Sequence, residues 1–243
     1  MPSHHSVILS HLLQRIVYLG GEPTQSKQFV ENCIIMPLTE GDIFCRRGES
    51  KGLAYLAEGA IVTRHNFGEG LEIYSSNRTA DNFVITAIEN LQPAARSDFI
   101  CLEPGIICYW KAHVLQDFIH SNQQFHNNIL QLYLYELSII SELGYLRSML
   151  NKRDYAILTM LLMFSSNAKR TQPSYQVSQQ IMCNHTGMTR QYYGKLLSEL
   201  EHKNVIKCHY KHIHLLSYEK LRSELSIDIL DHFIGSFGFN NIQ

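Results

Sequence analysis

The chain has 243 residues, of which 45% are hydrophobic and 18% charged, with a formal net charge of −1. That is the profile of a chain that buries a core rather than of a disordered one, and the charge argues against a uniformly basic nucleic-acid coat. No apolar run reaches the roughly 18 residues of a membrane-spanning helix, and six cysteines in so long a chain do not make a disulfide scaffold.

The apolar segment Val7–Leu19 is interrupted by His11, Gln14 and Arg15 and is followed by no small-residue cleavage pattern. It predicts a short amphipathic helix and no export signal, hence a cytoplasmic protein with reduced thiols and no membrane partner. Residues Phe29–Trp110 predict β structure. Runs such as Leu53–Ala57, Ala60–Arg64, Leu71–Tyr74, Phe99–Leu102 and Ile106–Trp110 are separated by turn signals at Gly41, Gly48, Gly59, Phe67–Gly70 and Glu103-Pro104-Gly105. Short strands so punctuated suggest a small barrel or roll. From Val114 to Leu150 proline is absent and Gly144 is the only glycine, which predicts one long helix. Its apolar residues fall in two stripes, Leu130/Tyr133/Leu137/Ile140 and Leu132/Ile139/Leu143/Leu146/Leu150. One stripe can lie against the roll; the other needs a partner, and pairing across a twofold axis predicts a homodimer. A helix over Lys152–Ser165 and a loop containing Pro173 lead to the unit Tyr175–Leu216. The expected class is α+β, with domains at 1–113 (roll and short N-terminal helix), 114–150 (dimerisation helix), 151–216 (DNA-binding unit) and 217–243 (helix and tail).

Charge is unevenly spread. Between Ser178 and Arg222, seven Lys/Arg stand against three Glu, a net of +4 that leaves −5 for the remainder. An acidic body with a small basic segment suits a nucleic-acid-binding module carried on a non-binding domain. Counted from Gln179, the next residues fit a helix-turn-helix: Met182 and Cys183 at the fourth and fifth positions, Gly187 at the ninth, then Met188, Tyr193 and Leu196 at the tenth, fifteenth and eighteenth. Gly187 can supply a left-handed turn and Thr189 can cap the second helix. Thr186, at the eighth position, is the weakest fit because an aliphatic residue is usual there. The second helix buries Tyr193, Leu196, Leu197 and Leu200 and leaves Arg190, Gln191 and Lys195 outside, where Arg can read guanine and Gln adenine. Val205–His209 and Ile213–Leu216 predict a hairpin wing with Lys207, His209, Lys211 and His212 near phosphates.

This order of roll, long helix and winged helix-turn-helix resembles the bacterial regulator superfamily of the cyclic-AMP receptor protein and the fumarate-nitrate regulator. The resemblance spans most of Phe29–Leu216 and runs without a gap through Ser178–Gln191 and Leu200–Ile206. The chain is also similar to the winged-helix regulators called inhibitors of hydrogen peroxide resistance. By that likeness, Thr189, Arg190, Gln191, Lys195, Lys207, Lys211 and His212 contact double-stranded DNA, and RNA polymerase or another regulator is a further partner. Gln191 stands where glutamate is frequent, so a different operator is expected. In the cyclic-nucleotide branch a Gly-Glu-Leu segment holds the ribose and an Arg-Ser pair the phosphate. Here Ile85-Thr86 replaces Gly-Glu while Arg96-Ser97 is kept, so cyclic-AMP control is not expected; Thr86, Arg96 and Ser97 remain candidate effector contacts in an altered pocket. The cysteines lack an iron–sulfur spacing. Cys101 and Cys108 flank a predicted turn and read first as buried strand cysteines, with a thiol switch across a hairpin as the alternative. His4, His5 and His11 form no zinc pattern. No catalytic motif is present, and Asp228-Asp231-His232 reads as solvated surface. The expected protein is therefore a DNA-binding transcription regulator, with no enzyme activity, cofactor or metal. Two alternatives stay open: an effector sensor using the altered roll pocket, and an interaction module that titrates another regulator.

Overall fold

A computed structural model of the chain describes residues 3–66, 72–87, 94–166, 174–176, 179–210 and 212–226. By its contacts the chain forms two compact units, Met1–Gly70 with Ser75–Ser138, and Leu71–Tyr74 with Ile139–Gln243. Both are mixtures of helix and antiparallel sheet.

The first unit opens with helix α1 (His4–Tyr18), capped by the Ser3 side chain, which accepts from Ser6 N–H. Ile8, Leu12 and Ile16 recur at fourfold spacing and form its buried face, the amphipathic pattern read from Val7–Leu19. Helix α2 (Pro23–Glu31) follows, with Pro23 at its first turn and the Glu22 carboxylate accepting from Thr24 and Gln25 N–H. The sheet comprises β1 (Ile34–Leu38), β2 (Ile43–Cys45), β3 (Leu53–Asn66), β4 (Glu72–Thr79), β5 (Asn82–Ile85) and β6 (Asp98–Tyr109). It runs β1-β6-β3-β4, with β2 on β6 and β5 on β3. Helices α1 and α2 and the following helix α3 (Ala112–Ser121) pack around Phe29, which stacks between Trp110 and Phe118 at centroid separations of 4.2 and 4.0 Å.

Two of the predicted turns are bends within long strands. Glu58-Gly59 sits inside β3 and Glu103-Pro104-Gly105 inside β6, with the β3–β6 register shifting at that level. The strands cross there so closely that a Cβ on Gly105 would lie 2.0 Å from Glu58 O, and one on Gly59 2.4 Å from Glu103 O. Glycine is required by that approach, and Pro104 is tolerated because a bulge has no ladder donor to lose. Cys101 and Cys108 are buried strand cysteines, as first read, and only the hairpin alternative fails. Cys101 and Cys108 lie on this one strand and do not oppose each other: Cys101 pairs with Ile61, and Cys108 with Tyr55. The expected turn at Phe67–Gly70 lies outside the described residues.

The predicted single helix from Val114 is interrupted. Helix α3 ends at Ser121 and helix α4 (Gln123–Met149) begins after Asn122, whose φ and ψ are −126° and 67°. Asn122 is buried; its side-chain amide donates to Gln25 Oε1 and Phe118 O, and its Oδ1 accepts from Glu22 N–H at 2.8 Å. Tying α2 to the helix joint outweighs the loss of one helical residue. Along α4, Phe125, Ile129 and Leu146 are buried, while Leu132, Leu134, Tyr135, Leu137, Ile140, Tyr145 and Met149 are exposed. The exposed set takes members from both predicted stripes.

The second unit adds α5 (Lys152–Ser166), β7 (Ser174–Gln176), α6 (Gln179–Thr186), α7 (Arg190–His202), β8 (Ile206–His209), β9 (His212–Leu215) and α8 (Tyr218–Arg222). Strand β7, absent from the sequence reading, pairs with β9, so the predicted hairpin of β8 and β9 is part of a three-stranded sheet. The acid and histidine cluster at Asp228-Asp231-His232 and the tail lie outside the described residues.

Candidate nucleic-acid interface

The turn between α6 and α7 forms as the residue types require. Gly187 has φ +68°, a left-handed conformation that a side chain resists, and Met188 N–H closes the turn on Cys183 O at 3.1 Å. Met182, Cys183 and Met188 are buried around it. Thr186, the odd member of the pattern, is also buried, and its hydroxyl donates to Met182 O at 2.7 Å. A hydroxyl satisfied one helical turn back can occupy an aliphatic site without an unpaired polar group.

Thr189 caps α7, its hydroxyl accepting from Tyr192 N–H at 3.2 Å. Thr189→Ala is expected to cost about 1 kcal/mol, seen as a fall of about 2–4 °C in melting temperature. At the other end Asn204 takes φ +51°, Asn204 N–H bonds Glu201 O and Val205 N–H bonds Leu200 O. This pair of bonds, with Leu200 and Val205 both buried, is a Schellman closure, and it turns the chain from α7 into β8. Tyr193, Leu196, Leu197 and Leu200 form the buried face of α7. Arg190, Gln191, Tyr192, Lys195 and Ser198 are exposed. Gln191, Lys195, Ser198 and His202 follow the three/four spacing of one outward stripe, with Arg190 at its N-terminal flank. Tyr192, exposed beside this stripe, and Ser198, within it, were not singled out in the sequence.

On the β8–β9 hairpin the register pairs Lys207 with His214 and His209 with His212. All four therefore share one face, while Ile206 and Ile213 are buried on the other. The His209 and His214 rings meet edge to face at 5.1 Å. Lys207 is exposed and His212 half-buried. Tyr210, 87% exposed, tops the turn. Lys211 lies outside the described residues.

Behind α7 an ionic clamp ties three segments together. Arg153 of α5 donates to Glu199 of α7 at 2.9 Å and to Glu224, after α8; Lys203 reaches Glu199 at 2.9 Å and Glu224 at 2.8 Å. Hydrogen bonds from Lys203 and Arg153 hold the Glu199 carboxyl below its usual range. For Glu224, burial pushes upward, but the bonds from the same two cations outweigh it and the net direction is also down. Carboxyls depressed in the fold stabilise it above their unfolded values, and this stabilisation is lost as pH falls through the folded ones. Arg153→Ala is expected to destabilise the second unit by about 1–3 kcal/mol at pH 7, discounted for its partly exposed partners. In thermal melts the gap to wild type should narrow below about pH 4, as both carboxylates protonate.

The predicted effector residues have different surroundings. Thr86 is buried; its hydroxyl accepts from Lys51 N–H at 3.1 Å and donates to Gly52 O at 3.0 Å. These bonds splice the end of β5 to the chain before β3, a structural task for the residue that replaces glutamate. Ser97 is buried and Arg96 exposed, next to Asp98, which pairs with Arg64 at 2.8 Å.

The fold is that of solved bacterial regulators. FixK2 from Bradyrhizobium japonicum superposes with a TM-score of 0.68 at 13% identity, over 79% of this chain and 96% of that one. A transcriptional regulator of the CRP family from Thermus thermophilus gives 0.61 at 16%, over 78% and 95%. The c-di-GMP-responsive global regulator CLP of Xanthomonas campestris gives 0.60 at 16%, over 81% and 100%. No protein-family model and no curated protein sequence matches the chain. Among the described residues no helix is long and apolar enough to cross a membrane.

Proposed function

We propose that the protein is a homodimeric, sequence-specific transcription regulator of the receptor-protein/fumarate-nitrate type, working in the cytoplasm without cyclic-nucleotide control. In this reading residues 1–113 are a roll-shaped sensory-like domain, 114–150 carry the dimerisation helix, 151–216 are the winged helix-turn-helix, and 217–243 are an appended helix and tail. The observation that carries it is the α6–α7 pair: a glycine-turned joint, a capped second helix, and a polar stripe of Gln191, Lys195 and Ser198 flanked by Arg190. Helix α7 enters the major groove, with Arg190, Gln191 and Lys195 at base edges. Thr189, Lys207, Lys211 and His212 take phosphates and fix the orientation. Loss of the ribose-binding carboxylate at Thr86, now spent on backbone bonds, supports independence from cyclic nucleotides.

Mobility shifts of genomic fragments by the full chain test the proposal. The expected result is retardation of a minority of fragments, weakening steeply with salt. Equal retardation of all fragments, or of none, contradicts it. Exposed Arg96 supports the second reading, an effector site in the roll. Thermal-shift screening against nucleotides and small acids distinguishes the two, since a ligand that prefers the folded state raises the melting temperature in wild type and not in Arg96→Ala.

A further inference from the structure

Cys108 lies in β6 on the face covered by α1, α2 and α3, in one cluster with Leu53, Tyr55, Phe118 and Trp110. Its neighbour across the β1–β6 ladder is Ile35. Residues two apart on a strand share a face, so Cys33, just before β1, is the diagonal neighbour of Cys108 on that same face. Cys108 belongs to this buried cluster and Cys33 packs against the same cluster from the edge. The two differ in access: Cys108 is fully buried, whereas Cys33 is half-exposed at the joint between α2 and β1. Cys45 and Cys101 instead direct their sulfurs at backbone carbonyls, of Arg46 and Glu49 and of Glu103 respectively.

We propose that Cys33 and Cys108 are a reversible dithiol pair that small disulfides oxidise, with Cys33 as the attacking sulfur and Cys108 as the resolving one. The Cys108 S–H supports negative charge on the Cys33 sulfur and holds that thiol below its usual range. The neighbouring Cys33 sulfur, together with burial, pushes Cys108 up, which keeps it protonated until it is needed. Thiolate character and access therefore fall on the same residue. In the first step the Cys33 thiolate bonds to one sulfur of the reagent, the reagent's S–S bond breaks, and a small thiolate leaves. In the second, Cys108 gives its proton to that thiolate and attacks the Cys33 sulfur. The protein disulfide forms, and the second small thiolate leaves and takes up a proton from solvent. Two protein thiols are oxidised and one reagent disulfide is reduced to two thiols. The link ties the α2–β1 joint to the central strand beside Trp110, the only tryptophan of the chain, whose indole N–H bonds Phe29 O at 2.8 Å.

Native full-length protein is treated with 2-hydroxyethyl disulfide, and its thiols are counted and its peptides mapped by mass spectrometry. The expected result is a fall from six thiols to four, a Cys33–Cys108 cross-link, a change in tryptophan fluorescence, and full reversal by dithiothreitol. Cys108→Ala should stop at a mixed disulfide on Cys33, and Cys33→Ser should abolish the cross-link. Because Cys108 is buried, the wild-type peptide map decides if that variant does not fold. A mixed disulfide persisting on wild-type Cys33, a cross-link between other cysteines, or no reaction in the native chain while the denatured chain reacts would each overturn the assignment.

Discussion

Replacing Arg190 with alanine is expected to weaken binding to the preferred duplex by about 30-fold or more while changing affinity for random duplex only slightly. A bidentate arginine–guanine contact discriminates by about 1–3 kcal/mol, and a symmetric dimer makes it twice. Phosphate contacts supply most non-specific affinity, and the loss of one cation from a set including Lys195 and Lys207 lowers the salt slope by about one per subunit at most. Equilibrium titrations on both duplexes at several salt concentrations give the comparison. Equal losses on the two would remove Arg190 from the base-reading role and make it one more phosphate cation.

The second large effect concerns α4. Leu134 and Leu137 are 63% and 41% exposed in the single chain, among a run of exposed apolar residues from Leu132 to Met149. Each large aliphatic side chain gains about 1.5–3 kcal/mol when buried, so covering this run by the same helix of a second copy is strongly favourable. The double substitution Leu134→Glu, Leu137→Glu places four carboxylates in a symmetric interface and should weaken dimerisation at least ~100-fold. Sedimentation should then report the single-chain mass of 28.0 kDa where wild type reports twice that. Because both positions are exposed, the monomer should still unfold cooperatively, at a melting temperature lowered only by the lost dimer contribution; loss of folding would place them in an interior instead. Specific binding should fall with the dimer, since one reading helix spans only half a site.

The second unit was largely legible in the sequence because its constraints are local. Gly187, Thr189, Tyr193 and Leu200 have roles set by residues within one or two turns, and each is found in the expected place. The Asn204 closure is equally local but was not read in the sequence. In the first unit the decisive interactions join distant residues. Glycine and proline at Gly59 and Pro104-Gly105 read as turns, but their cause is the close crossing of two strands some 45 positions apart. Asn122 breaks a periodic helix because Glu22 and Gln25, about a hundred residues earlier, satisfy its amide. No window along the chain contains both partners of either pair. The clamp of Arg153, Glu199, Lys203 and Glu224 was missed for the same reason, as was the shared cluster of Cys33 and Cys108. Thr86 shows the converse: the substitution was visible in the sequence, but its hydrogen bonds to Lys51 and Gly52 show what the threonine does there.

The most direct measurement is a hydroxyl-radical footprint of the full-length protein on a duplex it retards, read at single-base resolution beside methylation interference at guanine. The account predicts two protected blocks related by a twofold axis, centred about one helical turn apart, with major-groove guanine interference in each that disappears in Arg190→Ala. A single protected block, or protection without guanine interference, contradicts it.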